Sequence, residues 1–299
     1  MKTGFIGIIG RPNVGKSTLL NAILGEKIAI ATDKPQTTRN TIRGIFTRNA
    51  RDGDEGCQMV FIDTPGIHKP KNKLGSYMTD IAMNTLREVD VILFLVDDAA
   101  GGRTEEDEEI LSLFKESHTR KILVLNKMDK FEPDVYKQAY EAYEATGLFD
   151  AIIGTNAKKG HNVDLLLRTI EDMLIEGPAY FPEDMITDVP ERFLAGEIIR
   201  EKVLMYLSDE VPHGVAVEIE SYEEKPDITN IGAVIYCEKK SHKGILIGRD
   251  GKKLKGIGKS ARLEIEALLG TKIYLELWVK VRENWRDNPQ ALRSLGYRT

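Results

Sequence analysis

Apolar residues over positions 1–175 follow two alternating rhythms. Short unbroken runs near 4–10, 44–49, 57–62, 91–96, 121–125 and 151–154 read as buried strands. Stretches of helical period lie near 16–24, 74–88, 104–117, 133–145 and 162–174. This alternation predicts an α/β unit with a mostly parallel, helix-covered sheet. The turn-forming cluster Arg51-Asp52-Gly53-Asp54-Glu55-Gly56 makes strands two and three the one expected antiparallel hairpin. The rhythm stops at Glu176-Gly177-Pro178-Ala179-Tyr180-Phe181-Pro182, a breaker-rich segment closed by Pro190. Beyond it come a helix from Glu191 to Leu207, strands at 215–220 and 232–238, a helical stretch reaching Leu269, and an alternating strand from Lys272 to Val281. The order helix, strand, strand, helix, helix, strand predicts a smaller α+β domain. The expected division is 1–175, a linker at 176–190, and 191–299.

Composition narrows the class. The 299 residues are 41% hydrophobic, enough for ordinary cores, and the net charge is −5. No apolar run is long enough for a membrane span, and Met1-Lys2-Thr3-Gly4 leads straight into the first strand, so no signal peptide is expected. Cys57 and Cys237 are far apart and fall in different domains, which argues against a disulfide framework or zinc site and fits a reducing cytoplasm. The run Thr104-Glu105-Glu106-Asp107-Glu108-Glu109 reads as a capped first helical turn.

Three motifs carry chemistry, each directly after a strand, where open α/β sheets bind ligands. Gly10-Arg11-Pro12-Asn13-Val14-Gly15-Lys16-Ser17 matches the phosphate-binding loop G-x-x-x-x-G-K-[ST] and runs into a helix through Thr18. Its glycines let backbone N–H groups turn toward a phosphate, Lys16 supplies charge for the β/γ-phosphates, and the Ser17 hydroxyl suits Mg²⁺. Asp63-Thr64-Pro65-Gly66 follows, with a carboxylate for the Mg²⁺ shell and a Gly66 N–H for the γ-phosphate. Asn126-Lys127-Met128-Asp129 completes the set: Asp129 can accept from the N1–H and N2–H₂ edge of guanine, and the Lys127 stem can lie over the base. Without G-x-G-x-x-G, and with Lys16-Ser17 in place, a dinucleotide-binding dehydrogenase is excluded.

The second domain carries a local basic patch. Nine basic residues fall between Lys239 and Arg262, with Asp250 the only acid. The patch flanks Ile247-Gly248-Arg249-Asp250-Gly251, a G-x-x-G turn expected between a β-rich half and a helix. In KH domains such a loop approaches a sugar-phosphate backbone beside an apolar groove for single-stranded bases. Ile247, Gly248, Arg249, Gly251, Lys252, Lys253, Lys255 and Lys259 are the candidate RNA-binding residues.

The chain resembles the Era family of bacterial GTPases from end to end. The resemblance rests on Gly10 to Ser17, Pro35-Gln36-Thr37-Thr38-Arg39, Asp63 to Gly66, Asn126 to Asp129, Phe181-Pro182-Glu183-Asp184, Glu197-Ile198-Ile199-Arg200-Glu201-Lys202, Ile247 to Gly251, Leu275-Glu276-Leu277-Trp278-Val279-Lys280-Val281, and Ala291 to Tyr297. It implies a Ras-like P-loop GTPase domain joined to a type II KH domain. It implies GTP/GDP and Mg²⁺ as ligands, with Lys16, Thr38 and Gly66 catalytic and Ser17, Thr38 and Asp63 around the metal, Thr37 being the alternative to Thr38. It further implies binding of the 3′ end of 16S ribosomal RNA in assembly of the 30S subunit, a cytoplasmic monomer with weak peripheral attachment to the inner face of the membrane, and no DNA partner.

Two positions depart from better-known GTPases. Ras-like enzymes place a water-orienting Gln after the D-x-x-G motif; here Ile67 stands there, as in Era-like proteins, so slow turnover is expected. The base-contacting loop, usually Ser-Ala-Lys, reads Asn156-Ala157-Lys158, with Ala157 expected to offer its N–H to guanine O6. Asn13 marks the place where similar GTPases hold a monovalent cation, so K⁺ dependence is expected. Ile67 also leaves open a non-catalytic RNA-binding factor in which the nucleotide is a structural ligand.

Overall fold

The computed structural model describes residues 1–34, 36–50, 55–97, 103–207 and 211–297. Two compact units emerge. The first holds Met1–Ala31, Thr38–Lys69 and Met78–Asp188; the second holds Thr32–Thr37, Pro70–Tyr77 and Val189–Thr299.

The first unit runs β1 (Lys2–Gly10), α1 (Lys16–Leu24), β2 (Ile42–Arg48), β3 (Cys57–Asp63), then α2 (Lys73–Glu88), whose first turns belong to the second unit. It continues through β4 (Val91–Val96), α3 (Glu105–Phe114), β5 (Arg120–Leu125), α4 (Pro133–Glu144), β6 (Ala151–Gly154), α5 (Val163–Met173) and β7 (Ile175–Glu176). The sheet order is β2-β3-β1-β4-β5-β6, with β7 added antiparallel to β1. β1, β3, β4, β5 and β6 pair parallel with one another, and β2 pairs antiparallel with β3 as expected. Arg51–Asp54, expected as the turn between them, lie outside the described residues.

β4 is fully buried along its length, which explains why its sequence is a continuous apolar run and does not alternate. Its Phe94 meets Phe114 edge-on, ring centroids 5.3 Å apart, and stacks on Phe149. The acidic run before α3 is a capping box: Thr104 accepts from the Asp107 N–H and Asp107 reaches back to the Thr104 N–H.

The segment expected as a free linker is largely tied down. The Gln58 side chain, wholly buried, accepts from Tyr180 N–H and Phe181 N–H and donates to Phe181 O. Ile45 N–H donates to Ile186 O, so the chain up to Asp188 packs on the first unit. Breaker residues stop regular structure there without removing hydrogen-bond partners.

The second unit contains α6 (Glu191–Tyr206), β8 (Ala216–Lys225), β9 (Ile228–Cys237), α7 (Lys240–Ile247), α8 (Lys252–Leu269), β10 (Lys272–Val281) and α9 (Pro289–Ser294). Its sheet is ordered β10-β9-β8, with β9–β10 parallel and β8–β9 antiparallel. The hairpin is longer than hydrophobicity predicts, because Ser221–Lys225, Thr229 and Asn230 are polar or exposed and are held by the backbone ladder. Helices α6 and α8 cover the sheet through Ile199, Val203, Ile257, Ile265, Ala233 and Ile235. Trp285 closes the core, its indole N–H donating to Gly214 O at 2.9 Å. Cys57 and Cys237 are buried free thiols within their strands. Among the described residues no helix is long and apolar enough to cross a membrane.

Phe94→Ala removes the ring at the centre of the aromatic cluster and should destabilise the first unit by about 4 kcal/mol in urea unfolding. A loss below about 1 kcal/mol would contradict close packing there.

Candidate nucleotide site and candidate RNA-binding surface

The phosphate loop spans the turn from β1 to α1. Gly15 precedes α1 with φ 105°, and a Cβ there would lie 2.3 Å from the Asn126 Nδ2, so the position admits no side chain. That approach lets Asn126 act as a brace. Its Nδ2 donates to Val14 O at 2.9 Å, while its Oδ1 accepts from the Thr155 hydroxyl at 3.1 Å and the Ala157 N–H at 3.0 Å. One amide thus joins the phosphate loop to the loop after β6. Ala157 N–H, expected to face guanine O6, is engaged by Asn126 here. The short distance between the two loops favours the intramolecular acceptor. Asn156 caps the next turn by accepting from the Lys159 N–H, and Lys158 is exposed.

Lys127 reaches across the loop, donating to Asn13 O at 2.7 Å and Asp97 Oδ2 at 2.5 Å. Asp129 is half-exposed and pairs with Lys159 at 3.6 Å. Arg11 points away from the phosphate position: its Nε donates to the buried Asp107 at 2.9 Å, and a second nitrogen lies 3.5 Å from Asp97. Burial opposes the charge on Arg11, but Asp107 outweighs it and raises the pKa. Pro12 and Asn13 contribute loop backbone, and Thr18 lies in the first turn of α1. Asp97, and the tie from Asp107 to Arg11, escaped the sequence reading. Asp97 directly follows β4, at the strand end where sites form, and was the legible one.

Three oxygens converge beside the loop. The Ser17 hydroxyl donates to Asp63 Oδ2 at 2.6 Å and lies 2.9 Å from Thr38 Oγ1. Thr37 is engaged elsewhere, donating to Lys34 O, so Thr38 is the threonine at this point. Asp63 Oδ1 is buried, with no hydrogen-bond partner among the described residues. Burial pushes its carboxyl up to about 6, against the pull of Lys16. An orphaned carboxylate oxygen among hydroxyls suits a hard divalent cation. One carboxylate is few for a protein-only site, and Mg²⁺ commonly completes its shell with substrate phosphates. Lys16, 6% exposed, folds back to donate to Gly10 O at 3.1 Å and Arg11 O at 2.8 Å. Burial lowers its pKa to about 8. Ile67 N–H also donates to Gly10 O, which lays the Gly66 segment along the loop. The Ile67 side chain is in the hydrophobic core with Ile9, Ala82 and Leu86.

In the second unit the G-x-x-G turn lies between α7 and α8, and so joins two helices where a β-rich half was expected before it. This agrees with the expected order of two helices before the last strand, α7 being the helix without expected bounds. Gly248 has φ 71°, and a Cβ there would lie 2.7 Å from that of Lys253. The Arg249 side chain is 95% exposed. Lys252, Lys255 and Lys259 are exposed, while Ile247, Gly251 and Lys253 are half-buried. Beside the turn, α8 and β10 enclose a groove of ≈ 330 Å³ with Leu254, Leu275 and Leu277 as floor and Lys255, Lys259 and Arg262 as rim.

Residues 5–127 match the 50S ribosome-binding GTPase family, and residues 210–286 match the KH domain family. The chain is 55% identical over 299 residues to GTPase Era of Alkaliphilus metalliredigens (strain QYMF), covering 99% of each protein. It is 56% identical over 298 residues to GTPase Era of Alkaliphilus oremlandii (strain OhILAs), again covering 99% of each. Among solved structures it superposes with a TM-score of 0.94, at 43% identity and full coverage of both chains, on Era in complex with MgGDPNP and nucleotides 1506–1542 of 16S ribosomal RNA. A variant of Aquifex aeolicus Era bound to GDP·AlF4⁻ gives 0.93 at the same identity and coverage. With a phosphate loop, a guanine-motif brace and a KH unit in one chain, and relatives this similar along its whole length, the chain belongs to the Era family of GTPases.

Proposed function

We propose that the chain is a slow, Mg²⁺-dependent GTP-hydrolysing switch whose KH unit binds the 3′ end of 16S ribosomal RNA during small-subunit assembly. The observation that carries this reading is the pairing of a ligand-ready phosphate site, with Lys16 and Asp63 buried and under-compensated, with a basic, leucine-floored groove beside a G-x-x-G turn. The domain limits proposed are 1–175 for GTP and 191–299 for RNA, with the intervening segment packed as described.

Each residue has a role in hydrolysis. Loop backbone from Gly10 to Thr18 cradles the phosphates, and Lys16 exchanges its two carbonyl partners for β/γ-phosphate oxygens. Ser17, Thr38 and Asp63 hold Mg²⁺, which when bound neutralises charge developing on the phosphate oxygens. The Gly66 N–H meets the γ-phosphate. Asp129 reads the guanine edge, Lys127 covers the base, and Asn126 keeps both loops in register. Asn156, Ala157 and Lys158 line the base side, where guanine O6 can compete with Asn126 for the Ala157 N–H. Asn13 is the proposed K⁺ ligand. Ile67, embedded in apolar core, leaves the attacking water without a side-chain partner at that position, which accounts for slow turnover. We extend the proposal to a cytoplasmic monomer with weak attachment to the membrane's inner face.

Replacing Gly248 and Gly251 together by Asp should abolish binding of a 16S 3′-end oligonucleotide and leave GTP affinity unchanged, measured by fluorescence anisotropy. Each change adds a Cβ and a negative charge where phosphate must approach. Wild-type affinity should fall with salt, with a log-log slope of about 0.7 per phosphate contacted. RNA binding by the double variant, or affinity independent of salt, would move the RNA site elsewhere.

Ile67→Gln should not accelerate hydrolysis. It places an amide in the core and should lower stability by about 1–3 kcal/mol. A rate increase would show that position 67 reaches the water after all.

A further inference from the structure

The Arg11 guanidinium belongs to the phosphate loop by sequence and to a chain of alternating charges by contact. Its Nε donates to Asp107 Oδ1 at 2.9 Å. Asp107 is wholly buried, and its other oxygen accepts from the Thr104 N–H and hydroxyl at the head of α3. Oδ1 is thus the oxygen left for Arg11, and it fixes the guanidinium from behind. A second Arg11 nitrogen lies 3.5 Å from Asp97 Oδ1, and Asp97 Oδ2 accepts from Lys127 Nζ at 2.5 Å. The order Asp107, Arg11, Asp97, Lys127 runs from the cap of α3, through the phosphate loop and the end of β4, to the guanine motif. All four residues belong to the first unit.

Lys127 is the end of the chain that meets a ligand. Its ammonium has a second acceptor, Asn13 O at 2.7 Å, so the head is held between the phosphate loop and the end of β4. A lysine stem is flexible, and it covers an aromatic face well only when its head is fixed. The Lys127 backbone is in the left-handed region, φ 61° and ψ 39°, which a residue with a side chain seldom adopts. Both ends of the stem are therefore set before a base arrives. Asn13 O is a neutral acceptor, whereas Asp97 brings a charge. At side-chain exposures of 28% for Lys127 and 22% for Asp97, water competes for the ammonium, and a charge-assisted bond resists that competition better.

We infer that Asp97, backed by Arg11, is a positioning residue for base binding: it holds the Lys127 ammonium so that the stem lies across the plane of guanine. The inference deepens the GTPase reading above and rests on it. It gives the Arg11 side chain a part at the base end of the site and leaves the phosphates to Lys16 and the loop backbone. Asp97 acts on the face of the ring and Asp129 on its edge, so the two carboxylates have separable effects. The first sets affinity for any purine that Lys127 covers, and the second sets the choice among purines.

The test uses the full chain with Mg²⁺ and compares GDP, inosine diphosphate and inorganic pyrophosphate, the last by competition. Asp97→Ala should weaken GDP about fivefold, between the effect of an exposed ion pair and that of a charge-assisted hydrogen bond. Inosine diphosphate lacks the 2-amino group but offers the same ring face, so it should weaken by the same factor. Pyrophosphate has no base and should bind as before. Asp97→Asn keeps an acceptor without the charge and should recover part of the loss. In a Lys127→Met background, Asp97→Ala should cause no further loss, because no ammonium remains to be held. Unchanged GDP affinity, a parallel loss for pyrophosphate, or a further loss in the Lys127→Met background would overturn the inference. A changed ratio of GDP to inosine diphosphate affinity would overturn it too, by making Asp97 a reader of the base edge. Should Asp97→Ala fail to fold, Asp97→Asn decides by the same comparison, with a smaller loss for GDP alone expected and a parallel loss for pyrophosphate contradicting. Failure of the wild-type chain to bind GDP would instead overturn the functional reading.

Discussion

Two opposite charges buried at the phosphate loop without enough partners are the constraint on which the rest of this molecule depends. Among the described residues, Lys16 donates to two backbone carbonyl oxygens, and one Asp63 oxygen has no hydrogen-bond partner. Burial draws both toward neutrality, Lys16 down to about 8 and Asp63 up to about 6, and their mutual attraction only partly offsets this. Depressing a lysine pKa makes its charged form costly at neutral pH, and raising a carboxyl pKa does the same for the carboxylate. A phosphate chain carrying Mg²⁺ supplies the missing anion to one and the missing cation to the other. The parallel sheet exists in part to hold these groups so. It sets β1 between β3 and β4 and brings the Gly10 loop alongside Asp63.

The brace around that site is built from neutral amides, and it divides the work. Asn126 ties phosphate loop to base loop through three bonds, and the close pass at Gly15 makes room for it. Lys127 and Asp97 add a charged strut on the exposed side. The second unit uses different physics at its groove: exposed lysines and a strained glycine turn beside an apolar floor. Buried electrostatics suits a ligand that must be held in one pose. An exposed basic rim suits a flexible polyanion whose binding is tuned by salt.

Much of this was legible in the sequence because the relevant residues sit in short, ordered motifs. Gly10 to Ser17, Asp63 to Gly66 and Asn126 to Asp129 each follow an apolar strand, so periodicity and motif spacing supported each other. The acidic run at Thr104 read as a cap and is one. What stayed hidden depends on distance along the chain. Arg11 turns to Asp107, 96 residues away, and Gln58 captures the backbone near Phe181, 123 residues away. Polar strand ends such as Ser221–Lys225 carry no hydrophobic signal.

The most direct test of the central claim is isothermal titration of MgGDP into the chain at pH 8, in buffers of different ionisation enthalpy. At that pH Asp63 is already ionised, so proton exchange reports on Lys16. Lys16 is about half protonated before binding, and phosphate oxygens raise its pKa, so uptake of roughly half a proton is expected. The uptake should fade as pH falls toward 6, where the lysine is charged from the start. A binding enthalpy identical in all buffers at pH 8 would mean that Lys16 carries its full charge without a ligand, and would contradict the account.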